Sequence, residues 1–228
     1  SGMSRVKIEY GSIDLTVDLP IPCDVRGMSS AEPLPNPPEA IRRSYTQPFD
    51  SPSLADVARS KLERNAESTA VVVVSDNTRP VPYRGAGGIL TPLLETLLSS
   101  GYTKDRITIL IGNGSHRPMS ESEIEVMLGL REAGFDLPVV NHDYQKREDL
   151  VFVGKTRRGS SVRINKLYAE ADLKIVTGLV ESHFMAGASG GRKSICPAIA
   201  SKETLRVFHG PEILESAAAA DLVLEGNP

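Results

Sequence analysis

The chain has 228 residues, 40% apolar and 24% charged, and its 26 Lys and Arg against 29 Asp and Glu leave a net charge of −3. That length suits one large domain or two small ones, with a core that needs no disulfide or structural metal. The charge balance excludes a strongly basic nucleic-acid binder but leaves room for a local anion pocket.

No apolar run approaches the ~18 residues of a membrane-crossing helix. The absence of Trp and the 5% aromatic content argue against a stacking groove for single-stranded nucleic acid, so neither a membrane nor a nucleic acid is an expected partner. The N-terminus lacks a charged-then-apolar leader, which leads to an expectation of a cytoplasmic protein. Ser1-Gly2-Met3 reads as a tag-cleavage remnant ahead of a natural Met3. Cys23 and Cys196 lie far apart and outside any CxxC pair, so they are expected as reduced thiols rather than as a disulfide or zinc ligands.

In chain order, residues 5–10 and 13–19 alternate apolar and polar side chains around Gly11-Ser12, the pattern of a β-hairpin. Residues 29–53 hold six prolines and read as a connector with a short helix near 39–45. Ser53 is placed to cap a helix running to about Arg64. From Thr69 the pattern becomes strand, turn, helix, repeated. The run Ala70-Val71-Val72-Val73-Val74-Ser75 has no alternation, as expected for a strand buried on both faces of a parallel sheet. A helix over 88–100 stopped by Gly101 follows, then a second buried strand over 106–111. Ser120 with Glu123 forms a capping box ahead of a helix ending near Gly129. Residues 137–141 predict a short strand, 151–153 and 161–164 a hairpin or edge pair, and 171–177 another buried strand. The expected fold class is therefore α/β: an open, mostly parallel sheet flanked by helices (Rossmann-like), with a short N-terminal β-hairpin.

In such sheets ligands bind beyond the carboxyl ends of the strands. Three buried strands are followed by polar or Gly-rich segments: Asp76-Asn77-Thr78-Arg79-Pro80, Gly112-Asn113-Gly114-Ser115-His116-Arg117-Pro118, and residues 178–194, which include His183 and Gly190-Gly191-Arg192-Lys193-Ser194. Of the four histidines, His116 and His183 occupy equivalent positions after strands, and that placement favours function over a satisfied core or surface role. His142 reads as structural, and His209 as a helix C-terminal histidine interacting with the dipole. Residues 187–194 approach the GxxxxGK[ST] phosphate loop but carry Arg192 where that loop needs Gly, so a nucleotide triphosphatase is disfavoured. The Gly-rich turn with Arg192 and Lys193 still suits an anion, and an adjacent cation favours a nucleophilic Lys193 amine; the bland alternative is a solvated basic turn. Arg79 presents a fork for a carboxylate or phosphate and Asp76 an acceptor for a ribose hydroxyl, against a plain capping turn with an incidental ion pair.

These segments, and above all Glu181-Ser182-His183-Phe184-Met185-Ala186-Gly187-Ala188-Ser189-Gly190-Gly191-Arg192-Lys193-Ser194 with Pro197 and His209 downstream, resemble the nickel-pincer-nucleotide-dependent lactate racemase family. The likeness runs from about residue 5 to the chain end and covers the family's N-terminal, cofactor-binding domain (4–228 here); the family's C-terminal domain lies outside this chain. The resemblance implies a racemase or epimerase of a small 2-hydroxy acid, working by proton-coupled hydride transfer. Its cofactor would be a nickel-pincer nucleotide tethered at Lys193, with His209 as protein ligand to nickel. By the same resemblance His116 and His183 are the acid–base pair, while Asp76 and Arg79 bind cofactor or substrate carboxylate. The Gly190-Gly191-Arg192 turn is expected to cradle the cofactor.

The implied partners are the 2-hydroxy acid and the proteins that build and insert the cofactor, and protein made without that pathway is expected to lack it. Two histidines of near-neutral pKa suit a reaction that must remove and restore a hydroxyl proton on two faces. The competing expectations are a non-catalytic nucleotide- or metabolite-binding module and a zinc hydrolase built on His116, His183 and His209, which would lack any HExxH pattern.

Overall fold

The computed structural model describes residues 4–26, 31–157, 159–183 and 186–215. The chain divides into two compact units, residues 1–35 and 36–228. The first is the expected hairpin. Strands β1 (Ser4–Tyr10) and β2 (Ile13–Leu19) pair antiparallel from Ser4↔Leu19 to Tyr10↔Ile13. Gly11 takes φ +61° in the turn, a conformation that costs a glycine little. Arg5 pairs with Asp18 at 2.7 Å across the hairpin.

The second unit opens with helix α1 (Pro37–Thr46) and helix α2 (Leu54–Arg64). The Ser53 side chain accepts the Asp56 N–H and starts α2 where the cap residue predicts. Strand β3 (Ala70–Ser75) is followed by α3 (Leu90–Ser99), β4 (Ile107–Gly112), α4 (Glu121–Leu128) and β5 (Val139–Asn141). The Ser120–Glu123 capping box is present at α4, and Gly129 closes that helix in the left-handed conformation. Strands β6 (Leu150–Lys155) and β7 (Ser161–Asn165) form the separate antiparallel pair, then come α5 (Lys166–Glu170) and β8 (Leu173–Val176). Strand β8 starts later than its apolar pattern suggests. The Asp172 carboxylate is instead engaged with the Thr69 N–H at 3.0 Å.

The central sheet has order β5-β4-β3-β8 and all its pairs are parallel. Successive β3 residues serve opposite faces. Val72 and Val74 join Leu90, Leu94, Leu97, Ile109 and Ile111 in one core, whereas Val71 and Val73 join Leu110, Ile164, Tyr168 and Ile199 in the other. Both faces are covered, which is why the run needs no polar alternation. Each such buried aliphatic side chain contributes roughly 1.5–3 kcal/mol of transfer free energy.

Register brings the post-strand segments together. Ser75 pairs with Gly112 at the ends of β3 and β4, so the segments after both strands leave the sheet at one level and side by side. On the other flank of β3, the Thr177 N–H continues the ladder to Val73 C=O at 3.0 Å. This brings the third segment to the same edge.

Candidate active site

The three segments enclose a cleft of about 250 Å³ whose walls include Asp76, Arg79, His116, His183, Lys193 and His209. Gly190 also lines it, whereas Gly191 and Arg192 do not; Arg192 is exposed. A larger open groove of about 440 Å³ adjoins the cleft and shares Arg79; Pro80, Val81, Pro82, Val126 and Met127 line it beside Arg84 and Glu123, and it holds neither His nor Lys. The histidines and the lysine therefore belong to the smaller cleft.

Asp76 follows β3 and is buried. Its Oδ1 accepts the Thr78 N–H at 3.1 Å and the Thr78 hydroxyl at 2.5 Å. Its Oδ2 lies 2.6 Å from His116 Nδ1. A carboxylate can only accept, so the neutral His116 ring carries its proton on Nδ1 and turns the Nε2 lone pair outward. Local spacing does not reveal this pairing, because the partners are 40 residues apart. The expectation for Asp76 from sequence is a cofactor or substrate contact; the structure engages the carboxylate with His116 and Thr78.

His183 sits on the short strand β9 (Ser182–His183), which pairs antiparallel with β10 (Gly187–Ala188). Ser189 anchors this pair, accepting the Glu181 N–H at 3.0 Å and donating to Leu179 C=O at 2.7 Å. His183 Nδ1 accepts the Ala186 N–H at 3.3 Å, and Nε2 stands 2.6 Å from Lys193 Nζ. Burial, then Lys193 whenever it is protonated, and then Arg79 push the His183 pKa below its ordinary value. Burial first, and then Arg79, does the same to Lys193.

Lys193 lies in a 3₁₀ turn, Gly191–Ser194, held against the sheet by Ser194 Oγ donating to Thr177 C=O at 2.9 Å. The glycines here serve close packing. A Cβ on Gly190 would stand 3.0 Å from Leu179 O and Val180 Cγ2, and one on Gly178 only 3.3 Å from Gly190 Cα. The far wall is tied on by Gly114 N–H donating to Ala198 C=O at 2.9 Å.

His209 closes helix α6 (Lys202–Phe208) as its C-cap, stacked edge-on to Phe208 at 4.9 Å between ring centroids. A helix C-terminus favours the imidazolium, yet burial, and after it Lys193 whenever it is protonated, sets the pKa of His209 below its ordinary value. The ring therefore keeps a lone pair available to a metal. Among the described residues no three His, Cys, Asp or Glu side chains stand close enough to hold a metal between them, which disfavours the zinc-hydrolase expectation. Arg79 approaches Glu181 at 4.0 Å and stays largely open to the cleft. His142 lies away from the cleft, buried between Ala200 C=O and Asn165. Among the described residues both cysteines are free thiols, and burial raises the Cys196 pKa to about 11.

Sequence reasoning missed Tyr83. Its hydroxyl accepts the Ser75 N–H at 2.6 Å and lies 3.0 Å from Thr177 Oγ1, joining the ends of β3 and β8 beneath the cleft. It also missed Asn113. Arg117 C=O accepts from the Asn113 Nδ2 amide at 3.2 Å, which fixes the amide's orientation and leaves the buried Oδ1 without a partner among the described residues. A polar residue directly after β4 was the available signal for Asn113.

Chemically, one imidazole offers a lone pair and the other faces an amine, with a guanidinium nearby to hold an anion. Such a set of groups can take a proton at one imidazole and return one at the other while an anchored acid is held in the cleft.

Residues 10–221 match the model of the lactate racemase N-terminal domain family. The chain is 34% identical, over 99% of its length, to a lactate racemase of Thermoanaerobacterium thermosaccharolyticum, covering 51% of that protein. It is 37% identical, over 79% of its length, to a lactate racemase of Lactiplantibacillus plantarum, covering 40% of it. The fold matches the lactate racemase apoprotein of T. thermosaccharolyticum with a TM-score of 0.77 at 31% identity, over 95% of this chain and 49% of that one. The chain thus spans about half the length, or less, of the curated relatives it matches.

Proposed function

Since this chain belongs to the lactate racemase N-terminal domain family, we propose that it forms the cofactor-bearing, proton-moving part of a racemase or epimerase of a 2-hydroxy acid. The observation that carries the reading is that two differently paired histidines, His116 on Asp76 and His183 on Lys193, line one cleft.

The donor set fits a nickel-pincer nucleotide. Lys193 offers an amine for attachment. His209 offers a single imidazole, which suits a metal whose remaining donors belong to the cofactor, and the described residues offer no three-ligand protein site that would compete. When bound, the group would supply the acceptor for the hydride on the hydroxyl-bearing carbon.

The chain's own residues do the rest. Arg79 anchors the substrate carboxylate by a two-pronged hydrogen bond. His116 Nε2 takes the hydroxyl proton, with Asp76 stabilising the imidazolium through Nδ1. His183 serves the mirror-image alcohol. Because the carboxylate stays anchored, only the reacting carbon changes face. The proteins that build and insert the cofactor would be this chain's partners.

The test is intact-protein mass spectrometry and metal analysis of protein co-produced with the cofactor-building enzymes, followed by a screen of chiral 2-hydroxy acids that starts with lactate. The expected result is a nickel-containing adduct mapped to Lys193 and absent from Lys193→Ala. A bare chain under those conditions defeats the reading.

A further inference from the structure

Two contacts of His183 bear on its proton arrangement. The Ala186 backbone N–H is an obligate donor and lies 3.3 Å from Nδ1, so Nδ1 must accept. A neutral imidazole then carries its only proton on Nε2, the atom 2.6 Å from Lys193 Nζ. An ammonium at that position would set two protons against each other, and a doubly protonated ring would set Nδ1–H against the Ala186 N–H.

We infer that Lys193 is held as a neutral amine whose lone pair accepts the Nε2–H of His183, and that His183 thereby also readies Lys193 to condense with a carbonyl or thiocarbonyl carbon. The other charged or titratable groups acting on Lys193 are Arg79, Glu181, Cys196 and His209. Arg79 opposes protonation, while Glu181 and Cys196 favour it. Burial is the largest influence and acts with Arg79, in agreement with the hydrogen-bond geometry.

The step balances without an added oxidant or reductant. The Nζ lone pair forms the new C–N bond as the π pair of the C=O or C=S group moves to its heteroatom. The Nε2–H goes to that heteroatom, and the proton shed by nitrogen returns to Nε2, so the ring ends as it began. The OH or SH group then leaves as water or hydrogen sulfide, taking up through Nε2 the proton that nitrogen gives up as the C=N bond forms. This use of the amine rests on the tethering proposed above, but the amine's own reactivity can be measured without cofactor.

The full chain is treated near neutral pH with limiting acetic anhydride, and acetylation is followed site by site by mass spectrometry across its nine lysines. Each unit by which an amine's pKa falls raises its neutral fraction about tenfold near neutral pH. Lys193 is therefore expected to label severalfold faster than the exposed Lys155, with the advantage lost in His183→Ala. A long-range ¹H–¹⁵N NMR spectrum of the histidines supplies a second readout, in which His183 should be protonated on Nε2 alone; this decides the matter if His183→Ala does not fold. Labelling of Lys193 no faster than Lys155, or a His183 ring protonated on Nδ1, overturns the inference. Fast labelling with no adduct on co-production would keep the neutral amine and discard the tether, whereas an adduct on an unreactive Lys193 would do the reverse.

Discussion

Replacing Asp76 by Asn separates the charge and proton preference of that side chain from its shape. The carboxamide fits the same space, and its oxygen can still accept from the Thr78 N–H and hydroxyl that now bind Asp76 Oδ1 at 3.1 and 2.5 Å. The amide nitrogen then occupies the place of Oδ2, 2.6 Å from His116 Nδ1, and an NH₂ group can only donate. Nδ1 must become the acceptor, the ring proton moves to Nε2, and the lone pair facing the cleft is lost. Where a buried carboxylate sets a catalytic imidazole's tautomer in this way, the Asn variant loses about 10³–10⁴-fold in turnover. That corresponds to about 4–5 kcal/mol of transition-state stabilisation. Two assays read it. The long-range ¹H–¹⁵N spectrum should show His116 changing from Nδ1–H to Nε2–H in the cofactor-free chain, and interconversion of lactate enantiomers by loaded protein, followed by chiral chromatography, should fall by that factor with little change in KM. An unchanged tautomer, or a rate within about tenfold of the parent, would refute the role assigned to Asp76.

Two further perturbations probe the frame. In Gly112→Ala the new Cβ would lie 2.8 Å from Ala198 Cβ, so the segment after Lys193 must shift. We expect a loss of about 1–3 kcal/mol in urea unfolding, largely restored by Ala198→Gly in the double variant. His142 is buried, with Nε2–H on Ala200 C=O at 3.0 Å and Nδ1 accepting from Asn165 at 3.2 Å, and burial lowers its pKa. The unfolded chain then binds a proton that the folded chain refuses. Stability should stay flat above the ordinary imidazole range near pH 6.5 and decline as the pH falls below it. Unfolding midpoints across a pH series should show a shallower acid-side decline in His142→Gln, and an identical slope would count against the assignment.

Much of this architecture could be read along the chain, because burial on both sheet faces leaves a local trace. The unalternating run at Ala70–Ser75, the Ser120–Glu123 box and the Ser53 cap each depend on neighbours within a few residues, and each appears where its pattern predicts. Candidate site residues were legible for a related reason: segments that follow buried strands end at one sheet edge in this fold class. Partnership was not legible. Which carboxylate faces His116 depends on the β3–β4 pairing and its Ser75↔Gly112 register, and which amine faces His183 depends on the β9–β10 pair and the 3₁₀ turn after it, none of which is encoded in local spacing. The Gly190-Gly191-Arg192-Lys193 run makes the same point within four residues. Only Gly190 and Lys193 reach the cleft, because a 3₁₀ turn advances about three residues per turn and carries Arg192 outward. Residue types and their order settled which chemistry was available, and packing of distant segments settled which atoms share a proton, since hydrogen bonds form between neighbours in space.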